Sequence, residues 1–194
     1  ENLKETLIWT PAEYMKFAEA ISDKAISYYA FEILYNCGLR VGELLALTQE
    51  DFNFEKKTLR INKNFQHIDG KDIITTPKTP QSNRIIILSE FIVEEIKTYF
   101  DMLYENKPDD RIFPISKAYL HHELDRGAKL ANVKRLTIHQ LRHSHISNLI
   151  HLGYTAVEIG KRVGHSAQEI TFRYAHEFPT IQSDMAQTLD NERR

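Results

Sequence analysis

The chain has a single cysteine, Cys37, among its 194 residues, so no disulfide can form within it. A lone thiol in an apolar helical stretch reads as a small buried hydrophobe of a protein kept under reducing conditions, and a cytoplasmic location is expected. No apolar run approaches the roughly 20 residues that span a bilayer, so no membrane is expected as a partner. An excess of one charge is also lacking: 25 Lys and Arg stand against 27 Asp and Glu, which by itself argues against a nucleic-acid partner. Glycine is sparse and no GxxxxGK[ST] loop occurs, which removes the usual phosphate cradle of an ATP-driven enzyme. HExxH and paired cysteine ligands are absent too, so neither a metal nor any other cofactor is expected. The opening residues Glu1 to Glu5 are polar and no signal-peptide core follows. A first residue of Glu rather than Met is expected of a piece of a longer chain.

What is present is enough apolar sequence for a full core, 42% hydrophobic residues, and an uneven distribution of charge. Acidic residues crowd Glu90 to Asp110, while basic residues crowd Lys56 to Arg84 and Arg126 to Arg142. Thr10-Pro11-Ala12-Glu13 is a capping box with proline at the first helical position. A second helix is expected over about 24–37 with Gly38 as its stop, and a short third one over 41–47. The period then changes. Strands are expected over 58–61, 72–76 and 83–88, with Asp69-Gly70 as a hairpin turn requiring positive φ at both positions. Pro77 to Ser82 is a proline-bracketed turn that should project outward. Helices return after Ser89, whose expected buried stripe is Phe91, Ile92, Ile96, Phe100 and Leu103. More follow over about 116–130, 139–152, 155–163 and 167–174. The expected class is α+β: mainly α-helical with a small three-stranded antiparallel sheet.

Four places carry chemistry. In Gly38-Leu39-Arg40-Val41-Gly42-Glu43, an arginine flanked by apolar residues needs an anionic partner, and Glu43 lies one helical turn on. A structural Arg–Glu pair and an anion site are both open at this point. In His139-Gln140-Leu141-Arg142-His143-Ser144-His145, His139 and Arg142 share a helix face and can address two oxygens of one phosphate. The three histidines also raise a zinc site, which the missing ligand motifs disfavour. Gly164-His165 opens a short helix that ends in Tyr174, one of nine tyrosines, which nothing local distinguishes. Lys78 sits on the projecting turn, where a solvated charge is the ordinary reading.

Taken in order, Gly38-Leu39-Arg40-Val41-Gly42-Glu43-Leu44, Lys78, His139-Gln140-Leu141-Arg142, Gly164-His165 and Tyr174 nine residues later resemble the tyrosine recombinases, or phage integrases. Pro77-Lys78-Thr79 with Arg84, and Arg142-His143-Ser144-His145, are similar to integrases of conjugative transposons and phages of Gram-positive bacteria. The resemblance runs from about residue 7 to 176. It implies a catalytic domain over 1–176 and a tail helix over 177–194, with Ile181, Met185 and Leu189 as its apolar stripe, either exchanged between protomers or packed on its own domain.

The activity implied is site-specific DNA strand exchange. Tyr174 attacks the scissile phosphate and forms a 3′-phosphotyrosine. Arg40 and Arg142 neutralise the charge developing on the phosphate, Lys78 protonates the departing 5′-hydroxyl, and His139 and His165 bond the phosphate or assist proton transfer. Glu43 positions Arg40. One phosphodiester replaces another, so neither metal nor ATP is called for. The implied partner is double-stranded DNA, bound by a homo-tetramer, with a monomer compatible with the free state. Candidate phosphate contacts are Lys56, Lys57, Arg60, Lys63, Lys71, Arg126, Lys129, Lys134 and Arg135, each of which also reads as a solvated charge. Two competing readings are a type IB topoisomerase-like enzyme, disfavoured by the short spacing, and a non-catalytic DNA-binding module, disfavoured by the intact set.

Overall fold

A computed structural model describes residues 7–77 and 79–177. Thr10 caps helix α1 (Pro11–Ala20), with the reciprocal Glu13 bond of the capping box in place. Helix α2 (Ala25–Cys37) stops at Gly38, whose φ of +65° is left-handed. A Cβ there would lie 2.5 Å from the His145 ring, so the stop also lets another helix approach closely;. Helix α3 (Val41–Leu45) starts three residues later and leads through a 3-10 turn (Gln49–Asp51) into the strands β1 (Phe52–Asn53), β2 (Thr58–Ile61), β3 (Asn64–Ile68) and β4 (Lys71–Thr75). A second 3-10 turn (Pro80–Ser82) precedes β5 (Arg84–Ile87). The rest is helical: α4 (Glu90–Met102), α5 (Lys117–Leu130), α6 (Ile138–His151), α7 (Ala156–Val163) and α8 (Ala167–Tyr174).

The small antiparallel sheet is three-stranded, but its membership differs from expectation. Its order is β1-β2-β5, with Leu59 opposite Ile86 and Ile61 opposite Arg84. The strand at 71–75 instead pairs with β3 in a separate hairpin, closed by Asp69 and Gly70 with φ of +51° and +74°. The turn chemistry was therefore readable, and the long-range pairing was not. Every residue of β4 is exposed, so this hairpin rests on pairing and on its β3 side rather than on a buried face of its own.

The main core lies among α1, α2, α5 and the start of α6, around Phe17, Phe31, Leu34, Leu44, Phe113 and Leu120. A smaller cluster joins Ile146 and Ile150 of α6 to Ile159, Val163, Ile170 and Tyr174. Helix α6 thus gives Leu141 to one cluster and Ile146 to the other, and Arg142 to His145 sit where the two meet. In α4 the buried residues are Ile92, Val93, Ile96 and Tyr99, while Phe91 is exposed. Phe100 and Leu103 pack against the core as expected, half-buried, and only Phe91 departs from the stripe, its place taken by Val93. Among the described residues no helix is long and apolar enough to cross a membrane. The expected tail helix and Lys78 lie outside the described residues.

Candidate active site

Arg40 occupies the N-cap position of α3, directly after the Gly38 stop and Leu39. Its Nη1 donates to Glu43 Oε1 at 3.1 Å, and its backbone N–H donates to Glu43 Oε2 at 2.8 Å. About a third of the Arg40 side chain stays open to solvent, while Glu43 is buried. A third residue completes the group. Arg84, at the start of β5, forks onto Glu43 through Nη1–Oε1 at 2.9 Å and Nη2–Oε2 at 3.0 Å. Burial alone would push the Glu43 carboxyl up, but the bonds and charge of Arg84 hold it below the usual carboxylate range;. Sequence reasoning gave Arg84 no role. The signal was the two-residue period of β5, which puts Arg84 on the buried face with Ile86 and leaves Ile85 and Ile87 exposed;.

Arg142, one of the largest fully buried side chains at 1% exposure, bridges two backbone segments. Nη1 donates to the Gly38 carbonyl at 2.6 Å and Nη2 to the Val163 carbonyl at 2.5 Å. It thereby ties the segment that leads into Arg40 to the segment that leads into Gly164-His165. Its Nε–H is buried with no acceptor among the described residues. Burial, and then the charge of Arg40, bring its pKa down to about 9, so the group remains a cation at neutral pH.

The histidines of α6 divide. His139 is exposed and its ring meets that of His143 edge-on at 4.7 Å. Its pKa is lowered by desolvation and then by the Arg142, Arg173 and Arg40 charges. His143 is buried, brought down to about 4 chiefly by burial, and its Nδ1 shares a hydrogen bond with the Tyr174 hydroxyl. His145 is buried on another side and accepts from Arg162 Nε at 3.2 Å. Among the described residues no group of three or more His, Cys, Asp or Glu side chains is disposed to hold a metal ion. The partner role of His143 was not legible, because it depends on how α8 docks against α6.

His165 lies between the left-handed Gly164 (φ +74°) and the cap of α8, half-buried, with a pKa brought down to about 4 by burial and then by Arg142 and Arg40. Tyr174 ends α8 at 1% exposure, and burial above all raises its phenol well beyond the ordinary value. Arg40, Glu43, Gln81, Ser82, Gly164 and His165 line one cleft of about 560 Å³. A second of about 500 Å³ joins Arg40 to His139, Lys117 and His121. The structure thus brings Arg40, His139, Arg142 and His165 to one region, with Tyr174 behind it in the small cluster.

The candidate phosphate contacts are more scattered. Lys57 pairs with Glu90, and both Arg60 and Lys63 pair with Asp51. Arg126 lies between Asp23 and Glu123, Lys134 meets Glu13, and Arg135 meets Asp125. Lys56, Lys71 and Lys129 are exposed, with no carboxylate within ion-pair distance among the described residues.

Against known proteins, the family model described as "Phage integrase family" matches residues 10–180. The ICEBs1 integrase of Bacillus subtilis is 28% identical over 203 residues, covering 97% of this chain and 55% of that protein. The integrase of Staphylococcus phage L54a is 31% identical over 182 residues, covering 83% of this chain and 51% of that protein. The chain therefore spans about half the length of these curated relatives. Among solved structures, the Tn1549 transposon integrase in complex with circular intermediate DNA superposes with a TM-score of 0.81 at 22% identity, over 98% of this chain and 68% of that one. The catalytic domain of bacteriophage HP1 integrase superposes with a TM-score of 0.65 at 18% identity, over 94% and 95% of the two chains. With the family match running from the cap of α1 past the end of α8, the chain belongs to the phage integrase family.

Proposed function

We propose that the chain is the catalytic part of a site-specific DNA recombinase that cuts and rejoins strands through a 3′-phosphotyrosine at Tyr174. One observation carries the reading: Arg40 and Arg142, from helices far apart in sequence, sit in one histidine-flanked region, braced by Glu43 and by the Gly38 and Val163 carbonyls. A phosphodiester under attack gains negative charge on its non-bridging oxygens, and fixed guanidinium donors stabilise that charge without reorganising. Arg142 also holds a buried Nε–H with no acceptor among the described residues, a donor that an oxygen admitted to the site would satisfy.

In the reaction, the Tyr174 oxygen bonds to phosphorus as the P–O5′ bond breaks. The phenol loses its proton to a neutral histidine of the site, and the departing 5′-oxygen gains one from Lys78. Rejoining runs the same steps backwards. A buried phenol with a raised pKa is a poor nucleophile; the Arg173 and Arg142 charges work against that rise and favour the phenolate;. Double-stranded DNA is the partner, bound by four copies acting together, and a cytoplasmic site of action follows from that substrate. The candidate contacts Lys56, Lys71 and Lys129 are the exposed charges best free to meet phosphates.

The test uses a pool of nicked duplexes of randomised core sequence with chelator present. The chain is expected to leave a denaturant-resistant protein–DNA adduct that Tyr174→Phe abolishes. No adduct from the wild type, or an undiminished one from Tyr174→Phe, would overturn the reading.

A further inference from the structure

Glu43 presents a question of charge. It is a buried carboxylate whose two oxygens accept four bonds: Arg84 Nη1 and Arg40 Nη1 on Oε1, and Arg84 Nη2 and the Arg40 backbone N–H on Oε2. If Arg40 were its only cation, the pair would be neutral and Arg40 would be held back from any other anion. With Arg84 forked onto the same carboxylate, the negative charge is already met by a buried partner with little surface to offer a ligand;. The Arg40 charge is then surplus, and a third of its side chain faces the cleft.

Arg84 does more than neutralise. Its Nη1 also donates to the Ser82 carbonyl at 3.1 Å, and its Nε donates to the Arg162 carbonyl at 2.8 Å. One guanidinium therefore fastens α3, the turn before β5 and the end of α7. The last of these runs straight into Gly164-His165. The packing there is tight: a Cβ on Gly164 would lie 2.9 Å from the Gln81 carbonyl and 3.0 Å from Arg84 Nη1. An arginine is suited to this and a lysine is not, because only a planar fork can serve a carboxylate and two carbonyls in different directions.

The geometry points to Arg84 as a positioning residue for strand cleavage, one that neutralises Glu43 so that Arg40 keeps its charge for the phosphate and that locks Arg40 and His165 into one frame. Arg84 touches neither DNA nor the reacting atoms. The inference rests on Arg40 being a phosphate clamp, as proposed above.

Single-turnover adduct formation tests it, on a duplex recovered from the randomised pool, alongside DNA affinity and thermal melting of each variant. Arg84→Lys keeps the charge and loses the fork. It is expected to slow cleavage by about 100-fold, the scale of an ångström-sized misplacement, with a much smaller loss of DNA affinity. Arg84→Met leaves Glu43 to Arg40 alone and should be slower still. Adding Glu43→Gln to Arg84→Met should then recover part of the rate, although Glu43→Gln lowers it in the wild type. Because residues in contact couple in stability as well, the rates are compared well below the melting range of every variant, where a merely structural rescue moves the melting temperature and leaves the rate unchanged. Wild-type rates in Arg84→Lys and Arg84→Met, or a double variant slower than either single, would overturn the inference. Tyr174→Phe separates the two proposals. If it still forms adduct, or the wild type forms none, the recombinase reading fails. The Arg84 inference is then read from inorganic phosphate titrated against the Arg40 guanidinium NMR signal: binding weakens in Arg84→Met if it holds and is unchanged if it does not.

Discussion

Replacing Arg142 by lysine separates charge from geometry at the most buried cation of the site. The guanidinium satisfies two carbonyls at once, Gly38 and Val163, each from a different nitrogen of one planar group. A lysine ammonium can reach at most one of them. A buried carbonyl left without a donor costs about 1–3 kcal/mol. For a chain of this size, with roughly 3 °C lost per kcal/mol, the melting temperature should fall by about 3–9 °C. The effect on chemistry should be larger, because losing one preorganised donor to a developing oxyanion lowers rate by about 10²–10³-fold. Circular dichroism melts report the first quantity, and single-turnover adduct formation below the variant's melting range reports the second. A variant that melts with the wild type would show that the two-carbonyl clamp does not form. A variant that melts lower yet cleaves at the wild-type rate would show that Arg142 braces the fold without addressing the phosphate.

Acid should expose the buried histidine His145, whose pKa is brought down to about 3 by burial and then by the Arg162 charge. Its folded pKa is depressed, so its contribution is whole above the ordinary value of 6.5 and drains as pH falls through 6.5 toward 3; from pH 7 to 5 that amounts to about 2 kcal/mol. Glu32, raised to about 7 by burial, works the other way over that range, so the check is comparative: urea unfolding of His145→Gln should lose about 2 kcal/mol less than the wild type between pH 7 and 5, and equal losses would contradict the argument. Glu123 is fully buried between Lys24, Ser27 and Arg126; Glu123→Gln should cost about 3 kcal/mol in urea unfolding at pH 7, and a change under about 0.5 kcal/mol would refute its structural weight. Against the burial that raises it, Arg126, Lys24 and Ser27 hold the Glu123 carboxyl down at about 2, so this contribution is present above 4.5 and is lost as pH falls toward 2.

The parts of the fold set by neighbouring residues were legible. The Thr10–Glu13 capping box, the Gly38 stop, the Ser89 cap and the Asp69-Gly70 turn each follow from local backbone chemistry, and each is present. What could not be read was pairing across distance. Two-residue β1 has too little sequence to show a period, and nothing local says that it joins β2 and β5 in one sheet while the hairpin of 64–68 and 71–75 stands apart. The site divides in the same way. Arg40 with Glu43, and His139 with Arg142, are helical neighbours whose juxtaposition follows from spacing. Arg84 reaches Glu43 across 41 residues and His143 reaches Tyr174 across 31, so their roles appear only once the chain has folded. The ordered set of motifs supplied by resemblance what local reading could not, namely the expectation that residues from 40 to 174 serve one site.

That convergence is tested most directly by titrating inorganic phosphate and following the Nε–Hε NMR signals of Arg40 and Arg142 together. Both signals are expected to move with one shared dissociation constant, and replacing either arginine should weaken the response of the other. Signals that titrate independently, or an Arg142 signal indifferent to the anion while Arg40 responds, would mean that the two guanidinium groups do not serve a common phosphate.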